Sequence, residues 1–179
     1  GLWNGAPVSL RRGQDGPELQ LPDRCIPLPL IETPRTGAAE VVRALQERGL
    51  EVAMVTGDTA HRAAILARTL GIATVHAAVR PEDKADLVRD MAAQGRRVLM
   101  VGDGLNDTAA LAGAHASLAP ATALDAARVA SDGVMLGGDL SAVDDTLRLA
   151  RRARSRIRQN LALAAAYNAV AIPVAVMGF

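Results

Sequence analysis

The chain has 179 residues, of which 50% are hydrophobic and 2% aromatic, and its formal net charge at pH 7 is +1. This length accommodates one full domain with a real core, and the charge alone argues neither for nor against a nucleic-acid partner. The single cysteine, Cys25, excludes an internal disulfide and fits a reducing compartment. Because the sequence starts with neither methionine nor a secretory signal, we expect residues 1–5 to come from the middle of a longer chain.

The first 30 residues are rich in glycine and proline and contain short apolar alternations. This pattern predicts weak strands or a hairpin, with residues 13–16 as the turn. A further strand is expected over residues 25–31, where Pro27 and Pro29 favour a position at the edge of a sheet.

From residue 34 onward, helical and extended patterns alternate. They predict, in chain order, a helix started by Pro34 and Thr36 and ended by Gly49, strand 51–55, helix 59–70 ended by Gly71, strand 74–77, a helix opened by Pro81 and ended by Gly95, strand 98–101, a helix start near residue 109, strand 115–118, helix 119–130 and strand 131–136. This alternation predicts an α/β domain in which a parallel sheet is covered by helices on both faces.

The stretch 98–107 is the centre of the predicted domain. Four apolar residues read as a buried strand, and an acidic turn flanked by glycines follows them. Ligands of parallel α/β sheets bind at the carboxyl ends of the strands, so this turn is expected at an active site. Asp103 and Asp107 would be a pair of hard oxygen ligands suited to Mg²⁺. The alternative is an ordinary turn that uses Gly, Asn and Asp for their backbone tolerance.

Two further features point to phosphate chemistry. Thr56 follows a predicted strand and offers a hydroxyl, and the backbone N–H groups after it lead into the next helix, where a phosphate could bind. Lys84 is the only lysine in a chain that otherwise uses arginine, which indicates a site that needs a compact point charge. Alternatively, Lys84 is a solvated helix residue. His115 could be considered a ligand, but a single histidine beside a strand more often has a structural role.

Together these motifs resemble the last three motifs of the haloacid-dehalogenase superfamily, and the Asn-Asp ending of residues 102–107 resembles its P-type ATPase branch. The resemblance implies a haloacid-dehalogenase-like, Rossmann-like phosphorylation domain that uses ATP and Mg²⁺. The site residues that it implies are Thr56, Gly57, Asp58 and Lys84 for catalysis, with Thr56, Lys84 and Asn106 on the phosphate and Asp103 and Asp107 on Mg²⁺.

This sequence departs from the family pattern in two places. The aspartate nucleophile of the family lies in an Asp-Lys-Thr-Gly motif, and that motif is absent from these 179 residues. The usual Ala-Pro after the Asn-Asp pair is replaced by Thr108 and Ala109. We therefore expect the chain alone neither to hydrolyse ATP nor to transport an ion.

The C-terminal end has the pattern of a membrane helix. Residues 161–179 carry no charge, which is about the length needed to cross a bilayer core. Residues 148–158 contain six arginines and no acid, which marks the cytoplasmic side and favours contact with anionic lipid headgroups. No aromatic side chains alternate with these arginines to stack on bases, so we do not expect nucleic-acid binding.

The spacing of Asn160, Tyr167, Asn168 and Pro173 resembles the seventh transmembrane segment of copper-type heavy-metal (type IB) P-type ATPases. Zinc-type relatives usually place a lysine in this segment, and none is present. The resemblance implies that Tyr167 and Asn168 help to form a Cu⁺ site. A phenol and an amide are hard ligands for a soft ion, and in the family cysteine and methionine from neighbouring spans supply the rest.

The resemblance covers about residues 24–179. Within it, residues 117–123 and 157–160 look most like those of bacterial copper pumps that support cbb3-type oxidase assembly. It implies a remnant of a nucleotide-binding domain over 1–23, a phosphorylation domain over 24–140, and a linker helix with a transmembrane helix over 141–179. The expected partners are membrane lipid, the remainder of the pump and a copper chaperone. The expected location is the inner membrane of a bacterium, with the phosphorylation domain in the cytoplasm.

Three alternatives to a copper pump stay open. A phosphatase of the same superfamily needs an aspartate nucleophile after the first strand, and none of the early acids, Asp15, Glu18, Asp23 and Glu32, lies in a suitable motif. A non-catalytic membrane-anchored module that binds a metal or a partner is the second alternative. A pump for another ion is the third, against which the Tyr-Asn spacing argues.

Overall fold

The structure, a computed structural model, describes residues 1–3, 5–13, 17–28, 34–137 and 139–178. It divides the chain into two compact units, Gly1–Pro34 and Arg35–Phe179. The first unit is small and antiparallel, whereas the second contains all of the helices in the described part of the chain. The domain boundaries at residues 23 and 140 remain predictions.

The first unit contains two antiparallel sheets. Strands β1 (Leu2–Trp3) and β2 (Ala6–Pro7) form the first, and β3 (Ser9–Arg12), β4 (Pro17–Gln20) and β5 (Cys25–Pro27) form the second in that order. The β3–β4 pairing confirms the predicted hairpin. Residues 14–16 of its predicted turn, and residues 29–31 of the predicted further strand, lie outside the described residues.

The second unit alternates helices and short strands. In chain order these are α1 (Ala38–Glu47), β6 (Ala53–Val55), α2 (Ala60–Leu70), β7 (Thr74–His76), α3 (Pro81–Ala93), β8 (Leu99–Val101), a 3₁₀ turn (Leu105–Asp107), α4 (Thr108–Gly113), β9 (Ala116–Pro120), α5 (Asp125–Ala130), β10 (Gly133–Met135) and α6 (Ser141–Val176). The predicted alternation is confirmed. Pro81 opens α3, and Gly71 ends α2 with a φ of 73° that favours glycine.

The strands of this unit pair in parallel, as predicted. β6 pairs with β7, and β9 lies between β8 and β10. In the described chain, β6 and β8 are not hydrogen-bonded to each other, so the parallel strands form two pieces rather than one continuous sheet. Within the described residues, each of these two strands therefore has one edge without a strand partner.

Helices cover both faces of the β8–β9–β10 sheet. Leu118 packs with Met135 and with Val143 of α6. The next residue, Ala119, packs with Leu111 of α4 and Ala127 of α5. Successive strand residues point to opposite faces, so these two clusters lie on opposite sides of the sheet.

Two predicted helix starts are wrong. The helix expected from residue 119 begins at Asp125, because β9 continues to Pro120, which pairs with Met135 in a sheet that buries Ala119 completely. The backbone pairing on both sides of β9 outweighs the helical preference of the alanines. The first helix begins at Ala38 rather than near Pro34, because Gly37 adopts a left-handed φ of 78° immediately before it.

The long helix α6 contains both the arginine cluster and most of the uncharged stretch that follows it. Its first turns pack on the sheet through Val143, which is 4% exposed. From Leu149 to Val170 its side chains are exposed. Among the described residues, no helix has the combined length and apolar character required of a membrane span.

Candidate functional site

A cavity of about 350 Å³ lies where β6 and β8 end. The strand ends contribute the last apolar residues and the polar residues that directly follow them, as expected for the binding edge of a parallel sheet. Four predicted site residues line this cavity: Thr56, Lys84, Asp103 and Asp107. The other residues that line it are Arg35, Val55, Val101, Gly102, Pro120, Met135, Asp139 and Leu140.

Thr56 is positioned by the backbone on both sides of it. Its N–H donates a 2.9 Å hydrogen bond to the carbonyl of His76, which extends the β6–β7 pairing by one residue. Its carbonyl accepts a 3.0 Å hydrogen bond from the N–H of Val79. The hydroxyl accepts a 3.1 Å hydrogen bond from the N–H of Asp58, so the turn after the strand orients the Thr56 side chain.

Lys84 reaches the cavity from the first turn of α3. Its Nζ lies 2.7 Å from Oδ1 of Asp107, and the two side chains are only 14% and 13% exposed. The helix start beside it is held by Arg80, whose guanidinium binds both carboxylate oxygens of Asp83 at 2.8 and 3.0 Å. This hydrogen bonding lowers the pKa of Asp83 and raises the pKa of Arg80, which favours the charged form of each group.

The Asp107 side chain occupies the space that the missing side chain of Gly102 leaves open. A Cβ at Gly102 would lie 2.9 Å from the Asp107 Cβ and 3.0 Å from its Oδ2, which is too close for any other residue. The Gly104 N–H points to the same Oδ2 at 3.4 Å, and the Gly104 carbonyl accepts the Asp107 N–H at 3.1 Å. The two glycines of the predicted motif therefore hold this carboxylate against the end of β8.

Asp103 is the exposed carboxylate of the site. Its side chain is 62% exposed, and its Oδ2 lies 3.4 Å from the guanidinium of Arg35. Mg²⁺ in proteins is commonly held by one or two carboxylates together with water and phosphate oxygens. The described residues contain no group of three or more His, Cys, Asp or Glu that could hold a metal ion. Two carboxylates on one cavity fit Mg²⁺ in this mode, and Asp103 and Asp107 are the residues that would hold the ion.

The other predicted site residues do not line the cavity. Gly57 and Asn106 are exposed, and the Asp58 carboxylate lies 3.9 Å from Arg62. Tyr167 and Asn168 lie on the exposed part of α6. The functional roles of these residues, like those of the cavity residues, remain predictions.

Arg35 and Asp139 line the cavity but were not among the predicted site residues. The Asp139 carboxylate accepts hydrogen bonds from the N–H and hydroxyl of Ser141, and these lower its pKa. An acid two residues before the first residue of a helix is a signal for a capping interaction. That signal could have located the start of α6, but only the tertiary structure places it at the cavity.

Comparisons with known proteins agree with this geometry. Residues 4–115 match the model of the haloacid dehalogenase-like hydrolase family. The chain is 45% identical over 147 residues to the nitrogen fixation protein FixI of Rhizobium leguminosarum bv. viciae, covering 82% of this chain and 19% of that protein. It is 43% identical over 166 residues to a probable copper-exporting P-type ATPase V of Mycobacterium tuberculosis, covering 93% and 21%.

A solved structure shares the same fold. The crystal structure of a zinc-transporting PIB-type ATPase in the E2.Pi state is 25% identical, with a TM-score of 0.79 over 99% of this chain and 32% of that one. The chain thus spans about a fifth of the length of the curated relatives it matches. The predicted resemblance to P-type ATPases is confirmed, and the chain belongs to the haloacid dehalogenase-like hydrolase family.

Proposed function

We propose that this chain is the phosphorylation domain of a copper-transporting P-type ATPase, together with the helix that leads into its membrane part. The observation that carries the proposal is the convergence of Thr56, Lys84, Asp103 and Asp107 on one cavity. These residues come from three separate segments of the chain. The names of the relatives, which include copper-exporting P-type ATPases, support copper as the transported ion.

The cavity has the groups that phosphoryl transfer requires. Thr56 presents a hydroxyl in an orientation that its own turn determines, and Lys84 presents an ammonium group that is 14% exposed. These two groups would bind and orient the oxygens of the phosphoryl group. Asp103 and Asp107 would hold Mg²⁺, which would neutralise negative charge on the phosphoryl group.

The aspartate nucleophile would be supplied by a further part of the pump. A groove of about 760 Å³ lies beside the edges of β6 and β8 that have no strand partner in the described part of the chain, and apolar residues of both strands, α1 and α3 line it. An apolar strand lying parallel between β6 and β8 would hydrogen-bond to both edges and bury this surface. Its carboxyl end would then reach the cavity, where an aspartate would attack the γ-phosphorus of ATP, forming an aspartyl phosphate as the bond to ADP breaks and ADP leaves.

The remainder of α6 suits a connection to the membrane. Beyond its arginine-rich segment it exposes the large apolar side chains of Leu161, Leu163, Val170, Ile172 and Val176. Exposure of this much apolar surface to water is unfavourable, whereas lipid and neighbouring membrane helices would cover it. Tyr167 and Asn168 lie on this part of α6 and are the residues we assign to the Cu⁺ path.

Exchange of a matching segment tests this function. This chain would replace the corresponding 166-residue segment of the Mycobacterium tuberculosis ATPase V, and Cu⁺-dependent phosphoenzyme formation from ATP would be measured. We expect activity in the chimera, and a fall of about 10²-fold or more in the Asp103→Asn and Lys84→Ala variants. Arg89→Ala, at an exposed pair with Asp86, is the matched control and should leave the activity unchanged.

Other outcomes distinguish the alternatives. Phosphoenzyme formation that depends on Zn²⁺ but not on Cu⁺ would contradict the copper assignment and favour a pump for another ion. Mg²⁺-dependent hydrolysis of a simple phosphate ester by the 179-residue chain, abolished by Asp103→Asn, would favour the phosphatase alternative. A chimera that folds and inserts but is never phosphorylated would contradict the assignment to a phosphorylation domain.

A further inference from the structure

We propose that Arg35 is a second phosphate-binding cation of this site. In the absence of a metal ion its guanidinium pairs with Asp103, and a metal ion that coordinates the Asp103 carboxylate separates the pair. The inference rests on the proposed function and extends it to a residue outside the motifs that predicted the site. Arg35 lines the same cavity as Thr56 and Lys84, and its guanidinium lies 3.4 Å from the Asp103 carboxylate.

Both carboxylates of the proposed metal site are paired with a cation. Lys84 binds Asp107 at 2.7 Å, and Arg35 binds Asp103 at 3.4 Å. A metal ion that coordinates these two carboxylates therefore competes with both cations for the same oxygens. Because Arg35 and Lys84 themselves line the cavity, each remains within it when its carboxylate is taken. The displaced cations are then available to phosphoryl oxygens in the same space.

The exposure of the two pairs indicates which one exchanges more readily. Arg35 and Asp103 are 43% and 62% exposed, whereas Lys84 and Asp107 are 14% and 13% exposed. Exposed ion pairs contribute little free energy, so separating Arg35 from Asp103 requires little. The planar guanidinium also matches the geometry of two phosphate oxygens, which a lysine ammonium does not.

The backbone of Arg35 is fixed by a hydrogen bond to α1, so an exchange of Asp103 for phosphate involves its side chain. Its carbonyl accepts a 3.0 Å hydrogen bond from the N–H of Ala38, the first residue of α1. Ala38 itself is 4% exposed, which joins this turn to the core. The Arg35 side chain can thus change partner by rotation, with no movement of the helix.

The charges of the cavity predict linked binding of the metal and phosphate. Two cations, Arg35 and Lys84, and three carboxylates, Asp103, Asp107 and Asp139, line the cavity, so a phosphate dianion alone adds to an excess of negative charge. A divalent cation offsets this excess and part of the charge of the phosphate. We therefore expect Mg²⁺ and phosphate each to increase the affinity of the other, by a factor in the usual range of about 5- to 150-fold.

Calorimetric titrations of the 179-residue chain with MgCl₂, with inorganic phosphate and with both test the role of Arg35. In Arg35→Ala we expect tighter Mg²⁺ binding in the absence of phosphate, because a competitor for Asp103 is gone. Phosphate binding in saturating Mg²⁺ should weaken about tenfold, and Arg35→Lys should restore part of it. These opposite changes would not arise from a general loss of structure.

Arg43→Ala is the matched control, since Arg43 lies exposed on α1 and its loss changes the net charge equally. If Arg35→Ala changes neither affinity while Lys84→Ala weakens phosphate binding, the inference about Arg35 is wrong and the proposed function stands. If the wild-type chain binds no phosphate in saturating Mg²⁺, or if Lys84→Ala has no effect, the proposed site is wrong and the inference fails with it.

Discussion

Two ion pairs in this protein are similar in burial but differ in their surroundings. Lys84 and Asp107 are 14% and 13% exposed, and Arg48 and Asp144 are 24% and 14% exposed. The first pair borders a cavity of about 350 Å³ at the ends of two strands. The second joins the end of α1 to α6, next to the buried Val143, with N–O distances of 2.9 and 3.0 Å.

The two pairs differ in the space beside them. Under the proposed function, a metal ion or a phosphate in the cavity would replace either partner of the Lys84–Asp107 pair. The Arg48–Asp144 pair joins two packed helices and does not line that cavity. We therefore expect the first pair to serve ligand binding and the second to serve stability, and three predictions test this comparison.

The largest effect on stability is expected for Asp144→Ala. It removes the partner of Arg48 and one partner of Arg148, and it weakens the attachment of α6 to α1. Loss of one member of a largely buried pair should lower the free energy of unfolding by about 2–3 kcal/mol, measured by urea denaturation. The neighbouring Asp145→Ala is the matched control, because its carboxylate is 59% exposed and should contribute less than about 1 kcal/mol. Equal losses in both variants would contradict this assignment.

A smaller effect, with a different response to metal, is expected for Lys84→Ala. Asp107 loses its cation but stays accessible from the cavity, so the free energy of unfolding should fall by about 1 kcal/mol. Mg²⁺ stabilises any folded variant that binds it, by about 1.4 kcal/mol at ten times its dissociation constant. Because Lys84→Ala lacks the cation that competes for Asp107, it should bind Mg²⁺ more tightly and gain more stability than the wild type at the same MgCl₂ concentration. Arg48→Ala should gain only as much as the wild type. Thermal unfolding of both variants and the wild type with and without MgCl₂ makes the comparison, and equal gains would show that the cavity does not distinguish the two pairs.

The smallest effect concerns Asp139, which lies on the cavity and precedes the first residue of α6. Hydrogen bonds from Ser141 lower its pKa below the ordinary value of 3.8. A lowered pKa in the folded state means that the stabilisation is present above this value and is lost as the pH falls through the folded pKa. Asp139→Asn should therefore be slightly less stable than the wild type at pH 7 and equally stable well below pH 3.8. A difference in stability that is constant over this range would contradict a role for the ionised carboxylate.

Much of the site could be predicted from local patterns. Thr56 and Asp103 each follow an apolar strand, and the carboxyl ends of parallel strands meet at one edge, so their proximity follows from chain order. Lys84 could be placed because Pro81 starts its helix. Arg35 could not be placed in the same way, since its contact with Asp103 joins residues 68 positions apart. No local periodicity encodes such a contact.

The amino-acid sequence by itself determined the alternation of strands and helices, the helix ends at Gly71 and Gly95, and the residue types of the candidate site. These features depend on interactions within a few residues of each other, where side-chain periodicity and backbone preferences dominate. Only the tertiary structure decided the extension of β9 to Pro120, the division of the described parallel strands into two pieces, and the Arg48–Asp144 attachment of α6. Each of these depends on which distant surfaces become buried together, and burial overrides local preference when the segments are short.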